Sequence, residues 1–206
     1  MAVSFYCIWW TVMGILSALK GGGLRSPNSI HHKGKRLSEI LAAHARFVRG
    51  EDGGARADLA GADLSRANLE AANLTYANCQ GANFAGASLR EAKLVSADLS
   101  KANLRKGDLR KADFTEANLA RADLTEAQVG GAEIFRADLR FAVLQRADCG
   151  ATNFRDTILQ GANFDGANLK TAMLREAKLE GADLSRADIS AAILPPGYKA
   201  SGTAKN

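Results

Sequence analysis

The sequence predicts an all-β solenoid, a coil of very short strands wound around an apolar interior. Three observations carry this. From Leu59 to Leu194 a large apolar residue stands at every fifth position, through 28 consecutive units with no insertion. Two residues before it stands Ala in 25 of those units, with Asp or Asn between them in 19. A period of five also excludes an amphipathic helix, because at ~100° per residue successive leucines would step by ~140° and scatter around the cylinder. Within a unit the Ala-polar-Leu order is instead the inside-outside-inside alternation of a strand, after which two residues must turn. Alanine at the second inward site is a size requirement, since two bulky residues per side would overfill a narrow coil.

The elements follow in order along the chain. Residues 2–19 hold no charge and include Phe5, Ile8, Trp9, Trp10, Val12, Ile15 and Leu16. As a helix they would span ~27 Å at ~1.5 Å per residue, just enough for a bilayer core. Three readings of residues 1–20 stand: an uncleaved membrane helix, a cleaved signal peptide, or a leader that is not native, with Met13 or a later codon as the start. As a membrane helix it would place the rest on the cytoplasmic side, because cations follow it; without it the chain would be soluble and cytoplasmic. Residues 21–36, with Gly21-Gly22-Gly23 and Ser26-Pro27-Asn28, read as a flexible basic linker. Leu37, Ile40, Leu41, His44, Phe47 and Val48 fall at helical spacing, with Ser38 near the start and Gly50 as a stop, so 37–56 reads as an amphipathic capping helix and turn. The repeats fill 57–196, and 197–206 is a polar, mobile tail after Pro195-Pro196.

Composition narrows the function classes. The 206 residues carry a net charge of +5, but the span 57–196 holds 17 Lys+Arg against 19 Asp+Glu. The positive charge therefore belongs to the flanks, and direct nucleic-acid binding is not expected. Three cysteines and three histidines offer no disulfide framework, metal knuckle or catalytic cluster. No catalytic, cofactor-binding or metal-ligating residues are assigned, and no cofactor is implied.

These residues resemble the pentapeptide-repeat family, whose pattern A(D/N)LXX they match over 57–196. The resemblance implies a right-handed quadrilateral β-helix with four units per coil, hence about seven coils and ~34 Å of solenoid at ~4.8 Å per rung. The stretch from Leu37 to Leu64 resembles the helical lead-in that some bacterial members place over the open end of the core. The resemblance extends to quinolone-resistance members whose acidic rod occupies the DNA groove of a type II topoisomerase. This chain departs from them in its near-neutral repeats, basic third coil, lack of a projecting loop and lack of a dimerising C-terminal helix.

Surface positions hold what functional signal there is. The ten Asp and nine Asn of the repeat point outward in the family's geometry and are read as what the repeat dictates, not as paired catalytic carboxylates or metal ligands. Cys79 and Cys149 stand at inward positions on different sides, as buried apolar substitutes. His44 reads as a packed histidine bonded to a backbone group. Arg90, Lys101, Arg105, Lys106, Arg110 and Lys111 gather around the third coil, either as a solvated belt among Asp98, Asp108 and Asp113 or as a patch for phosphate or an acidic partner. Phe135, Phe141, Val143, Ile158, Met173 and Ile193 break the polar rule in the C-terminal half, with Tyr76 and Val95 as lesser cases. Phe141, Val143 and Ile158 should lie near one corner of the fifth and sixth coils, and the set forms a candidate interface for a homodimer or an unidentified protein partner. The expected function is a non-enzymatic scaffold with a rigid protein-binding surface, tethered to a membrane through residues 2–19.

Overall fold

The computed structural model describes residues 23–198. The segment read as a membrane helix or leader lies outside the described residues, as does the tail from 199. Among the described residues no helix is long and apolar enough to cross a membrane.

From Ala57 onward the chain is a four-sided coil. Parallel bridges join each outward residue to the one twenty positions later, from Asp58 with Asn78 through Met173 with Ile193. Twenty residues, four units, therefore make one turn of the coil. The first side carries Asp58, Asn78, Asp98, Asn118, Asp138, Ile158 and Lys178, and the second, third and fourth sides start at Asp63, Asn68 and Asn73.

One unit shows how the backbone is satisfied. Ala97 N–H closes the turn onto Leu94 O (3.1 Å), Asp98 N–H reaches back one rung to Ala77 O (3.0 Å), and Leu99 and Lys101 N–H reach forward to Asn118 O (2.7 Å) and Ala120 O (2.9 Å). The fifth donor, Ser100 N–H, is taken by the Asp98 side chain at 2.9 Å. The turns between units put a residue at positive φ in all but the Arg186 unit, for example Lys101 at 59°, which is the type II pattern. A residue other than glycine there costs about 1–2 kcal/mol, which the rung bonds on either side offset.

Inside, the Leu and Phe rows are shielded almost completely, with Phe84, Phe114, Phe154 and Phe164 among the largest buried side chains. Phe154 and Phe164 meet edge to face at 5.9 Å. Thr152 and Thr157 replace two inward alanines and donate their hydroxyls to Val129 O (3.0 Å) and Ile134 O (2.9 Å), so neither is a buried orphan.

The N-terminal end is closed by its own small unit. A two-stranded hairpin, β1 (His31–His32) and β2 (Lys35–Arg36), leads into helix α1 (Leu37–Arg49). Arg36 is the N-cap residue, its N–H bonded to Glu39 Oε2 at 3.2 Å, and Gly50 ends the helix at φ 69°. Leu37, Leu41 and His44 face the first coil. The turn after the helix lies so close to it that a Cβ on Gly54 would stand 2.4 Å from Phe47 N.

The flexible linker expected over 21–36 is corrected for the described part of it. Ile30 is buried against the core, and Arg25 extends the sheet of the first coil, donating to Arg66 O and accepting from Asn68 N–H at 2.9 Å. The Arg25 guanidinium also bonds Asp63 Oδ2 at 3.0 Å. An unpaired rung edge and an exposed leucine layer recruit any chain able to supply one apolar side chain and backbone partners.

Candidate functional site

The nineteen repeat Asp and Asn residues have a structural task that the sequence reading did not identify. In every one of them Oδ1 accepts the backbone N–H two residues on, at 2.9–3.3 Å. This is the Asx turn, and it supplies the fifth acceptor of each of these nineteen units. Several amides also ladder between rungs, such as Asn103 Nδ2 to Asn83 Oδ1 at 3.0 Å. Among the described residues no three His, Cys, Asp or Glu side chains converge as a metal site requires.

His44 is buried, accepts Ala57 N–H on Nδ1 at 3.0 Å and stacks on Phe47 with centroids 5.7 Å apart. Burial pushes its pKa down, the Thr75 backbone opposes that, and the Arg56 charge adds to it. It is a structural contact between cap and coil. Cys79 and Cys149 are free, and burial pushes the Cys79 thiol up to about 12 and that of Cys149 higher still, which leaves both unreactive.

The six basic residues of the third-coil region wrap over three sides. Arg90 lies 3.8 Å from Glu91, Arg105 3.0 Å from Asp123, Lys106 3.5 Å from Glu126, and Arg110 2.6 Å from Asp108. The Arg110 hydrogen bond holds the Asp108 carboxyl below the usual carboxylate range. Lys101 and Lys111 make no ion pair within 4 Å among the described residues. Such pairs add little stability, but they cancel the field that a phosphate patch would need. The same balance holds around the coil. On the first side Asp58, Asp98, Asp138 and Glu180 face Lys101, Arg121, Arg140 and Lys178, and each other side balances to within one charge.

The six apolar positions divide into two groups. Phe141, Val143 and Ile158 lie around the edge between the first and second sides, whereas Phe135, Met173 and Ile193 lie on the fourth. Phe141 is 58% exposed but engaged: Arg121 sits over one part of its ring at 5.7 Å, and the ring covers Gly161, where a Cβ would come within 2.6 Å of it. Phe135 lies under Arg136 (4.7 Å) and Arg155 (5.8 Å). Met173 and Ile193 are bridged neighbours on adjacent rungs, and with Arg155 and Arg175 they line a shallow pocket of about 270 Å³. Neither arginine of that pocket was singled out in the sequence, where each reads as an ordinary surface cation.

A repeat solenoid with a filled core and a variable outer surface is thus the class of protein. Its family is shown by the sequence itself: the profile of the pentapeptide repeats (8 copies) matches residues 55–90, 92–131, 132–170 and 172–194, and the chain belongs to that family. The family forms right-handed quadrilateral β-helices. Among solved structures, a trypsin-treated form of QnrB1, a plasmid-mediated fluoroquinolone resistance protein, is similar at 15% identity over 68% of this chain and 90% of that one, with a TM-score of 0.49. HetL, a pentapeptide repeat protein involved in heterocyst differentiation regulation in the cyanobacterium Nostoc, is 26% identical over 77% of this chain and 92% of its own, with a TM-score of 0.21. Another pentapeptide repeat protein from Nostoc is 32% identical over 52% and 77%, with a TM-score of 0.19. A comparison with curated proteins finds no match.

Proposed function

We propose that this chain is a non-enzymatic scaffold whose rigid sides bind a protein partner, held at the cytoplasmic face of a membrane by residues 2–19. One observation carries the binding reading. At Val143, Ile158, Met173 and Ile193 the chain forgoes the Asx cap and sets an apolar side chain on the outer surface, which neither the core nor the backbone requires. Such a substitution has a use where another surface covers it. The tether rests on the uncharged length of residues 2–19 and the cations after it.

The test is photocrosslinking of the full chain in its native cells, with the crosslinker placed in turn on each of the four sides. The reading expects one discrete partner band from the apolar-bearing sides and resistance of the chain to carbonate extraction. No crosslink from any side would sink the scaffold, and release by carbonate would sink the tether alone. Occupation of a topoisomerase groove is disfavoured by the alternation of charge on every side. Full chain added to a gyrase supercoiling assay is therefore expected to leave the activity unchanged, and inhibition at micromolar concentration would replace the scaffold by the DNA-mimic reading.

A further inference from the structure

The fourth side near the C-terminal end brings three features together at one place. Met173 and Ile193, on adjacent rungs, replace Asx residues. Arg175 N–H has no acceptor among the described residues, as is also true of Val95 and Phe135 N–H on that side, whereas the equivalent donors of Thr115 (3.0 Å) and Arg155 (3.1 Å) are capped. Arg155 and Arg175 then stand one above the other on adjacent rungs with no carboxylate of the described residues within 4 Å, whereas Arg105, Arg110, Arg140, Arg146 and Arg186 each hold one. The acids nearby are otherwise engaged: Asp156 is 4.0 Å from Arg136, and Glu133 accepts from Asn153. Only Glu176, at the following corner, is exposed beside Arg175.

We propose that this pocket docks an acidic segment of the protein partner, one carboxylate flanked by an apolar side chain. The carboxylate takes the place of the missing Asx side chain. It accepts Arg175 N–H as Asn153 Oδ1 accepts Arg155 N–H one rung earlier, and the two guanidiniums supply charge-assisted bonds that no carboxylate of the described residues takes up. The flanking apolar group lies on Met173 and Ile193, the latter 46% exposed, and a neighbouring group reaches Phe135. Apolar contact and an unpaired arginine pair at the centre of one patch are the composition of a binding hot spot. The inference rests on the scaffold reading and names the partner chemistry at one of its sides.

The experiment is an amide and methyl NMR titration of the full chain with N-acetyl-Asp-Leu-amide, using N-acetyl-Asn-Leu-amide and inorganic phosphate as parallel probes. The Asp dipeptide is expected to move Arg175 N–H and the Met173 methyl in a saturable way, and the Asn dipeptide to bind at least tenfold more weakly. Met173→Asn, which restores the repeat consensus and keeps the fold, is expected to abolish the shifts by capping Arg175 from within. Arg155→Glu is expected to weaken binding by at least tenfold. Equal binding to Met173→Asn, equal shifts from phosphate, or shifts that follow protein concentration with no probe present would each overturn the proposal, the last two by assigning the pocket to any anion or to a second copy. Retained crosslinking from the fourth side in Met173→Asn would overturn this site while leaving the scaffold standing. Loss of crosslinks from all sides of the unmodified chain removes the scaffold, whatever the dipeptide does.

Discussion

The two ends of the coil are built from the same repeat and finished differently. At the first turn Leu59, Leu64 and Leu74 are fully shielded and Leu69 is 1% exposed, because α1, the hairpin and Ile30 cover them. At the last turn Leu179 and Leu184 reach 8% and 9%, and Ile189, Leu194, Ala182, Ala187 and Ala192 are only partly buried. The N–H groups of Leu179, Leu184, Ile189 and Leu194 have no further rung to donate to among the described residues. Here closure is left to Pro195-Pro196 and to Tyr198, whose N–H turns back to Pro195 O at 3.2 Å and whose ring packs on the core. A solenoid needs its terminal layers covered, and in the described residues this chain spends a folded unit on one of them and a short turn on the other. The pocket of Arg155 and Arg175 lies on the side of the coil that approaches the thinly covered end.

The same deletion placed at each end separates them most widely. Leu74→Ala is expected to cost about 2–5 kcal/mol, as for a large-to-small change in a closed core. Leu194→Ala is expected to cost less than half of that, because its layer is already partly hydrated and collapses at little cost. Urea denaturation followed by circular dichroism measures both, and equal losses would mean that the last turn is as well covered as the first.

A smaller effect divides the ends by pH. His44 must be neutral to accept Ala57 N–H, and burial lowers its pKa in the folded chain. The unfolded chain therefore binds the proton first. The stability from this contact is full above the ordinary histidine value of about 6.5 and is lost as pH falls through the lowered folded value. At the other end the carboxyls of Asp183 and Asp188 are lowered by hydrogen bonds from Ser185 and Ser190. Their contribution is present above the ordinary Asp value of about 3.9 and fades only as pH falls below it. Amide exchange between pH 7.5 and 5, corrected for intrinsic rates, should show Ala57 losing protection while Ser185 and Ser190 hold theirs. Unchanged protection at Ala57 would remove His44 from the closure.

These contrasts also mark what the sequence made legible. The coil, the helix over 37–49, the packing of His44 and the inert cysteines all follow from residue type and short-range spacing, and spacing survives translation into structure when each unit repeats the same local geometry. The order of residues 24–36 does not, because the burial of Ile30 and the pairing of Arg25 depend on an edge more than thirty residues away in sequence. The grouping of the apolar positions lay within reach, since counting units by four assigns Met173 and Ile193 to one side and Val143 to another. The role of Arg155 and Arg175 did not, since the absence of a described carboxylate within 4 Å of them is a property of three successive rungs and not of any local pattern. The Asx task was present as a spacing of two between Asp or Asn and a turn donor, and the regularity of the ladder hid it.

That task supplies the smallest test of the comparison, between one capped unit of the N-terminal half and one uncapped unit near the C-terminal end. Asp98→Ala removes the acceptor of Ser100 N–H at 2.9 Å and of Asn118 Nδ2 at 3.2 Å, and is expected to cost about 1 kcal/mol, the net worth of an ordinary hydrogen bond. Asp98→Asn keeps Oδ1 in place and should fall close to the unmodified chain. Met173→Asn does the reverse, giving Arg175 N–H the acceptor it lacks. Its gain is expected to be at most about 1 kcal/mol, the net worth of an ordinary hydrogen bond. Melting temperatures of the three variants decide the matter. A tolerated Asp98→Ala would make the Asx side chains ornaments of the repeat. A destabilising Met173→Asn would mean that Met173 supports the coil, and would withdraw the reason for reading its exposure as a surface kept for a partner.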